Sequence, residues 1–187
     1  MTIKTTPIPG LLIIEPRIFK DNRGCFFELF NDANFHENGI ETGFIQDNVS
    51  HSVKNTIRGL HYQLAPYGQA KLVQVMKGRV LDVAVDLREN SPTFGQHYAI
   101  ELSDENKLQF YIPKGFAHGF RALTEDVVFF YKCNAAYNKE AERGINFNDP
   151  DLAIDWKIPV GESIVSPKDE GLPSFEEAEK NFFFHEG

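Results

Sequence analysis

Two short stretches of the chain concentrate side chains that can move protons or hold negative charge. The first runs from Ile57 to Gly78 and contains Arg58, His61, Gln63 and Lys71, densest in Arg58-Gly59-Leu60-His61-Tyr62-Gln63. The second is Ile112-Pro113-Lys114-Gly115-Phe116-Ala117-His118-Gly119-Phe120. An imidazole titrates near neutrality, so it can exchange a proton at working pH or coordinate a metal. A guanidinium grips a diphosphate through paired hydrogen bonds, and an ammonium steadies an oxyanion. A lone histidine more often only satisfies its hydrogen bonds in a core. Here the base and the cations come together, which points to an active site around His61.

The elements that must carry these groups are short. Apolar runs span Leu11 to Ile14, Cys25 to Phe30, Phe44 to Val49, Leu72 to Met76, Val80 to Leu87, Tyr98 to Leu102, Leu108 to Ile112 and Val127 to Tyr131. Turn residues bound them, and such a series predicts an all-β sandwich or barrel. In Val80 to Leu87 the residues Leu81, Val83, Val85 and Leu87 share one face, and Asp82, Ala84 and Asp86 share the other, a period of two. Lys77-Gly78 before it predicts a turn to an antiparallel partner, Leu72 to Met76. Helices are expected only at the periphery. Asn31 to Asn38 is one, Asp149 to Leu152 is a turn or a single helical turn, and Ser174 to Asn181 opens with a capping-box pattern, Ser174 to Glu177. One domain over residues 1–187 is expected, with the barrel in about the middle two-thirds of the chain.

The Pro-x-Gly-x-x-His of the second stretch resembles the second motif of the cupin superfamily, a group of jelly-roll barrels. The first cupin motif carries His-x-His, then a Glu, then a Gly seven residues later. Here His61 holds the first position, Gln63 replaces the second His, and Lys71 stands where the Glu would be. An ammonium repels a divalent cation, and an amide is a poor ligand beside imidazole. No metal is therefore expected, and a lysine in such a pocket suits an oxyanion or a phosphate.

Further motifs follow in order: Lys71-Leu72-Val73, Asp82 to Arg88, Ser91-Pro92-Thr93-Phe94-Gly95, Pro113 to Phe120 and Tyr131-Lys132. With the run around His61 they resemble the dTDP-4-dehydrorhamnose 3,5-epimerase family, from Gly10 to about Asp169. The resemblance implies a cofactor-independent isomerase that inverts C3 and C5 of a 4-keto-6-deoxyhexose on a nucleoside diphosphate. The reaction converts dTDP-4-dehydro-6-deoxy-D-glucose to dTDP-4-dehydro-L-rhamnose. It makes His61 the base, Asp169 the carboxylate that orients it, Lys71 the cation on the enolate oxygen and Tyr131 the acid, with Tyr137 as the second choice. It assigns His118 to binding, towards phosphate or sugar, and Arg23, Glu28, Gln46, Asn48, Arg58, Glu142 and Lys168 to the nucleotide. Phe19 and Phe26 have the shape to stack on a base, although core packing is the expectation for both. A homodimer is implied as well, with the N-terminal strands covering an open sheet edge.

Composition narrows the partners. A net charge of -8 argues against general affinity for nucleic acid. No apolar stretch approaches the roughly 18 residues of a membrane span, and the N-terminus lacks the apolar core of a signal peptide. Cys25 and Cys133 have no metal-ligand spacing, so free thiols and a cytoplasmic location are expected. Three alternatives keep the fold: an epimerase of C3 or C5 alone, an enzyme for a CDP-linked sugar, and a sugar-nucleotide-binding cupin without catalysis. A metal cupin oxygenase is a further possibility, which metal content tests.

Overall fold

The computed structural model describes residues 1–184 and consists mainly of two antiparallel sheets. The six-stranded sheet runs β1 (Thr2–Thr5), β2 (Leu12–Glu15), β11 (Gln109–Ile112), β7 (Lys71–Lys77), β13 (Val127–Cys133) and β5 (Gln46–Ser52) from edge to edge. The five-stranded sheet runs β10 (His97–Ser103), β8 (Arg79–Asp86), β12 (Phe116–Ala122), β6 (Ile57–Gln63) and β14 (Glu142–Gly144). Two small pairs stand apart, the hairpin of β3 (Ile18–Asp21) with β4 (Gly24–Phe27), and β9 (Arg88–Glu89) with β15 (Phe182–Phe183). Helices are short: α1 (Asp32–Glu37) and α2 (Pro167–Glu170). No described helix is long and apolar enough to cross a membrane.

Each of the eight apolar runs contains a strand, although Cys25 to Phe30 leaves its strand after Phe27 and Phe44 to Val49 enters one only at Gln46; the sheets reach further towards the N-terminus than the middle two-thirds, because β1 and β2 extend the larger sheet. Strands β7 and β8 do not pair. The turn at Gly78 carries the chain from one sheet to the other, which lets each strand find partners elsewhere. Gly78 has φ +80, and a Cβ there would lie 2.4 Å from the Asp126 carbonyl oxygen. The stretch 174–181 forms turns instead of a helix; Ser174 and Glu177 do exchange side-chain hydrogen bonds, but the chain continues only as far as one backbone bond from Ala178 to Ser174. Phe19 and Phe26 do not join the core. They are 51% and 70% exposed, on a two-stranded hairpin separate from the two main sheets.

Strand β8 alternates as its sequence implies, and both of its faces are buried. Leu81, Val83, Val85 and Leu87 pack outside the barrel beneath a C-terminal cover that includes Phe147, Leu152, Trp156 and Phe182. The face with Asp82, Ala84 and Asp86 points into the space between the sheets, where Ala84 meets Val73, Val75, Phe116 and Phe129. Buried carboxylates need partners. Asp86 takes them from the motif that follows: Arg88 Nε and Nη2 donate at 2.8 Å each, Ser91 Oγ at 2.6 Å and Thr93 Oγ1 at 2.7 Å. The Ser-Pro-Thr segment is thus a structural clasp on the end of β8.

Between β12 and β6 the register slips. His118 faces His61 and Phe120 faces Arg58, so a two-residue step on β12 meets a three-residue step on β6. The extra residue is a β-bulge. Without it Arg58 and His61, three positions apart, would point to opposite faces; with it both line the same cavity. Gly59 makes the bulge possible: φ is +127, and a Cβ would lie 2.5 Å from Gly119 Cα and 2.8 Å from the His118 carbonyl oxygen. Gly59→Ala should therefore cost at least about 2 kcal/mol in urea unfolding, combining left-handed strain with backbone overlap. An unchanged unfolding free energy would show that the bulge tolerates a side chain.

Candidate active site

The inward rows of the two sheets differ from one end of the barrel to the other. Val75, Val80, Leu102, Phe110, Ala122 and Val127 pack together in the core between the sheets. Elsewhere the walls turn polar around a cavity of about 670 Å³, lined among others by Arg58, His61, Lys71, His118, Tyr131, Lys168 and Asp169. A second arm of about 180 Å³ shares His61, Lys71 and Tyr131 and continues past Gln46, Asn48, Tyr137 and Glu142. Pockets of this size hold small ligands, and the two arms meet at the three groups best able to do chemistry.

One of those groups, His61, is set by a residue far along the chain. His61 Nε2 lies 2.8 Å from Asp169 Oδ1. The other oxygen, Oδ2, accepts from the Gly59 amide at 3.2 Å, so a single carboxylate holds both the imidazole and the bulge next to it. Asp169 reaches this position because Ser166 caps α2 and Pro167 starts it, with the Asp169 amide donating to Ser166 Oγ at 3.1 Å. The carboxylate is 6% exposed and the imidazole 33%. Burial works to raise the Asp169 pKa, but the hydrogen bond and charge of His61, followed by the Gly59 amide, hold it below the usual carboxylate range.

Lys71 stands across the cavity and, among the described residues, makes no hydrogen bond or ion pair. Burial pushes its pKa down, against the pull of Cys133 and Asp82. Tyr131 neighbours it on β13, and burial followed by Cys133 raises the phenol above its ordinary range, so it keeps its proton. His118 sits opposite His61 across β12 and β6, is 7% exposed and places Nε2 at 3.0 Å from each oxygen of Asp82. Asp82 was legible only as half of a strand alternation; its contact with His118 depends on a pairing across strands that sequence does not display.

The mouth of the cavity is charged. Arg58 Nε donates to Ser52 Oγ at 3.1 Å and Nη2 to the His51 carbonyl at 3.0 Å. Lys168 pairs with Glu142 at 2.7 Å, and the Tyr137 hydroxyl donates to the same carboxylate at 3.0 Å. Gln46 and Asn48 alternate on β5 and face the second arm, joined by a 2.9 Å hydrogen bond.

A family model described as dTDP-4-dehydrorhamnose 3,5-epimerase matches residues 5–177. The chain belongs to this family. The dTDP-4-dehydrorhamnose 3,5-epimerase of Methanothermobacter thermautotrophicus is 50% identical over 165 residues, which cover 88% of this chain and 89% of that protein. The crystal structure of the enzyme of that name from Elizabethkingia anophelis NUHP1 superposes with a TM-score of 0.91 at 54% identity, covering 95% of this chain and 97% of that one. The dTDP-6-deoxy-D-glucose-3,5-epimerase of Legionella pneumophila Philadelphia 1, solved in complex with dTDP-4-keto-L-rhamnose, gives 0.90 at 48% identity, covering 94% and 93%. The two-sheet architecture is accordingly the cupin jelly roll of these epimerases.

Of the positions that the dTDP-4-dehydrorhamnose 3,5-epimerase resemblance assigns, ten line the two arms: His61, Lys71, Tyr131, Asp169, His118, Arg58, Lys168, Gln46, Asn48 and Glu142. Arg23 and Glu28 do not. Arg23 lies in the β3–β4 hairpin with its guanidinium on Asp21 at 2.7 Å, and Glu28 accepts from Asn31 at 3.1 Å and Asn34 at 3.0 Å beside α1. At the cupin ligand positions, Gln63 is occupied by backbone: its amide donates to the Tyr67 and Ala136 carbonyls and its oxygen accepts from the Asn138 amide. Among the described residues no three His, Cys, Asp or Glu side chains converge as a metal-binding group.

His61 is the largest of the influences that lower the Asp169 pKa. Replacing it with alanine should raise the midpoint of the Asp169 carboxyl titration, followed by carbon-13 NMR. A midpoint that stays low would assign the effect to the Gly59 amide instead.

Proposed function

We propose that this chain epimerises C3 and C5 of a dTDP-linked 4-keto-6-deoxyhexose without a cofactor. The observation that carries the reading is the His61–Asp169 pair at 2.8 Å in a cavity shared with an unpartnered Lys71 and a protonated Tyr131. Hydrogens on carbons beside a ketone are acidic because the resulting enolate places its charge on the carbonyl oxygen. His61 removes such a proton, and Asp169 stabilises the imidazolium that forms. Lys71 holds the charge that develops on O4. Tyr131 returns a proton from the other face of the ring, and Tyr137, which is 55% exposed and bound to Glu142, is the weaker candidate for that role.

Arg58 and Lys168 meet the diphosphate, with Lys168 exchanging Glu142 for a phosphate oxygen on binding. Gln46 and Asn48 serve the nucleotide in the second arm. Arg23 and Glu28 contribute through assembly: the chain acts as a homodimer in which each β3–β4 hairpin, with Phe19 and Phe26 exposed on it, supplies these residues to the cavity of the other protomer. The same pairing covers a sheet edge left open in one chain. A cytoplasmic location accords with two cysteines that are both free.

In D2O with dTDP-4-keto-6-deoxyglucose, the protein should place deuterium at both C3 and C5, read by NMR or mass spectrometry. Label at one carbon alone would make it a mono-epimerase, faster exchange with the CDP-linked sugar would reassign the carrier, and no label on either would remove the epimerase reading. His61→Ala should slow exchange by about 10²–10⁴-fold with dTDP affinity largely retained.

Lysine ordinarily loses its proton at slightly higher pH than tyrosine. Burial moves Lys71 down and Tyr131 up, so Lys71 should set the alkaline limb of kcat/KM. The rate then falls as pH rises through the Lys71 value, below the usual lysine range. Tyr131→Phe should lower the rate and leave that limb in place; a limb that vanishes with the phenol would assign it to Tyr131.

A further inference from the structure

One buried carboxylate behind the cavity wall has no part in the reaction described above. Asp82 on β8 is fully buried, and its two oxygens lie 3.0 Å from one nitrogen of His118, Nε2. A carboxylate can only accept here, so Nε2 carries a hydrogen. The other ring nitrogen, Nδ1, makes no hydrogen bond among the described residues, and the His118 side chain lines the main cavity. Phe129 stacks beside the ring at 6.1 Å and 24°, which limits its rotation. His118 is the cross-strand neighbour of His61, and directly paired residues on one face of a sheet stand roughly 5 Å apart at Cβ. Whatever Nδ1 meets is therefore close to the reacting carbons and not to the distant end of a nucleotide.

We propose that Asp82 is a positioning residue that holds His118 as the neutral Nε2–H form and so presents Nδ1 as a hydrogen-bond acceptor to a hydroxyl of the sugar ring. The groups facing the imidazole favour neutrality on balance. Burial pushes its pKa down, Asp82 pulls it up, and Lys71 on β7 and His61 on β6 push it down again, leaving it below the usual imidazole range. Tyr131 on β13 faces the same space as a neutral phenol. A neutral acceptor cannot bind phosphate, whose oxygens are acceptors too, but it suits a hydroxyl, which donates. The inference deepens the epimerase reading and rests on it for the identity of the sugar. It narrows the role of His118, which the resemblance leaves open between phosphate and sugar, to the sugar alone.

Nitrogen-15 NMR of the histidine-labelled protein tests this, with His118→Asn used to assign the signal. In the ligand-free protein at pH 7, Nε2 should appear as the protonated nitrogen and Nδ1 as the bare one. Addition of dTDP-glucose, which has the sugar hydroxyls but no ketone to react, should move the Nδ1 signal upfield; dTDP alone should leave it in place. A doubly protonated ring, a proton on Nδ1, or an equal response to dTDP alone would overturn the proposal. Asp82→Asn, whose amide can either donate or accept, should mix the two tautomers and raise KM for the keto sugar about tenfold while dTDP affinity changes less than twofold. Equal losses for dTDP and the sugar nucleotide would reduce Asp82 to a structural role. The tautomer is read without turnover, so failure of deuterium exchange in the unmodified protein would sink the epimerase reading and leave the Asp82 test standing.

Discussion

The site depends on one carboxylate with two obligations. Asp169 binds the imidazole of His61 through one oxygen and the amide of Gly59 through the other. The first contact orients an imidazole. The second fastens the bulge that turns Arg58 and His61 towards the same space. These are separate physical problems, the tautomer of a ring and the register of a strand, and a single buried group from α2 answers both. The two contacts are coupled because neither can relax without disturbing the other, and coupling of this kind fixes the position of an imidazole in a cavity wall.

The interior of the barrel follows a consistent electrostatic rule. Buried carboxylates have donors: Asp86 has Arg88, Ser91 and Thr93, Asp82 has His118, and Asp169 has His61 and Gly59. Lys71 is the exception, a cation in the cavity wall with no partner among the described residues. A half-buried cation without a partner carries an unrelieved desolvation cost, and proteins keep such a cost where it serves a function. The ligand that relieves it has negative charge to offer, whether already present or formed during reaction.

Much of this was legible in the sequence, for identifiable reasons. The apolar runs marked eight strands because half-buried strands repeat every two residues. The strands that carry the chemistry, β6 and β12, were less visible as strands: Gly59, His61, Gly119 and His118 interrupt their apolar pattern, and they stood out as motifs instead. The alternation of Val80 to Leu87 was correct, but sequence did not say that the face with the aspartates would be the inner one, since that depends on a cover arriving from residues far along the chain. The pairing of β7 with β8 failed for a related reason. A glycine turn between two strands reads as a hairpin, and only packing decides that it crosses between sheets. Ten of the twelve assigned positions met along the two arms of the cavity, whereas Arg23 and Glu28 did not, because a sequence motif records the order of its residues and not the folding of the hairpin that carries them away from the barrel.

The C-terminal cover has a consequence for how the protein matures. Phe147, Leu152, Trp156 and Phe182 shield the outer face of the five-stranded sheet, and Asp169 arrives on the same segment. Docking of the cover and placement of the Asp169 carboxylate beside His61 are thus one event. Until the segment that carries Asp169 docks, the imidazole of His61 lacks its carboxylate even where the strands of the barrel are paired. The reverse holds in a folded population. Local opening of the cover would draw the Asp169 carboxylate away from His61 with the sheets still paired. The contact between Asp169 and His61 is in this sense a gauge of whether the cover is closed.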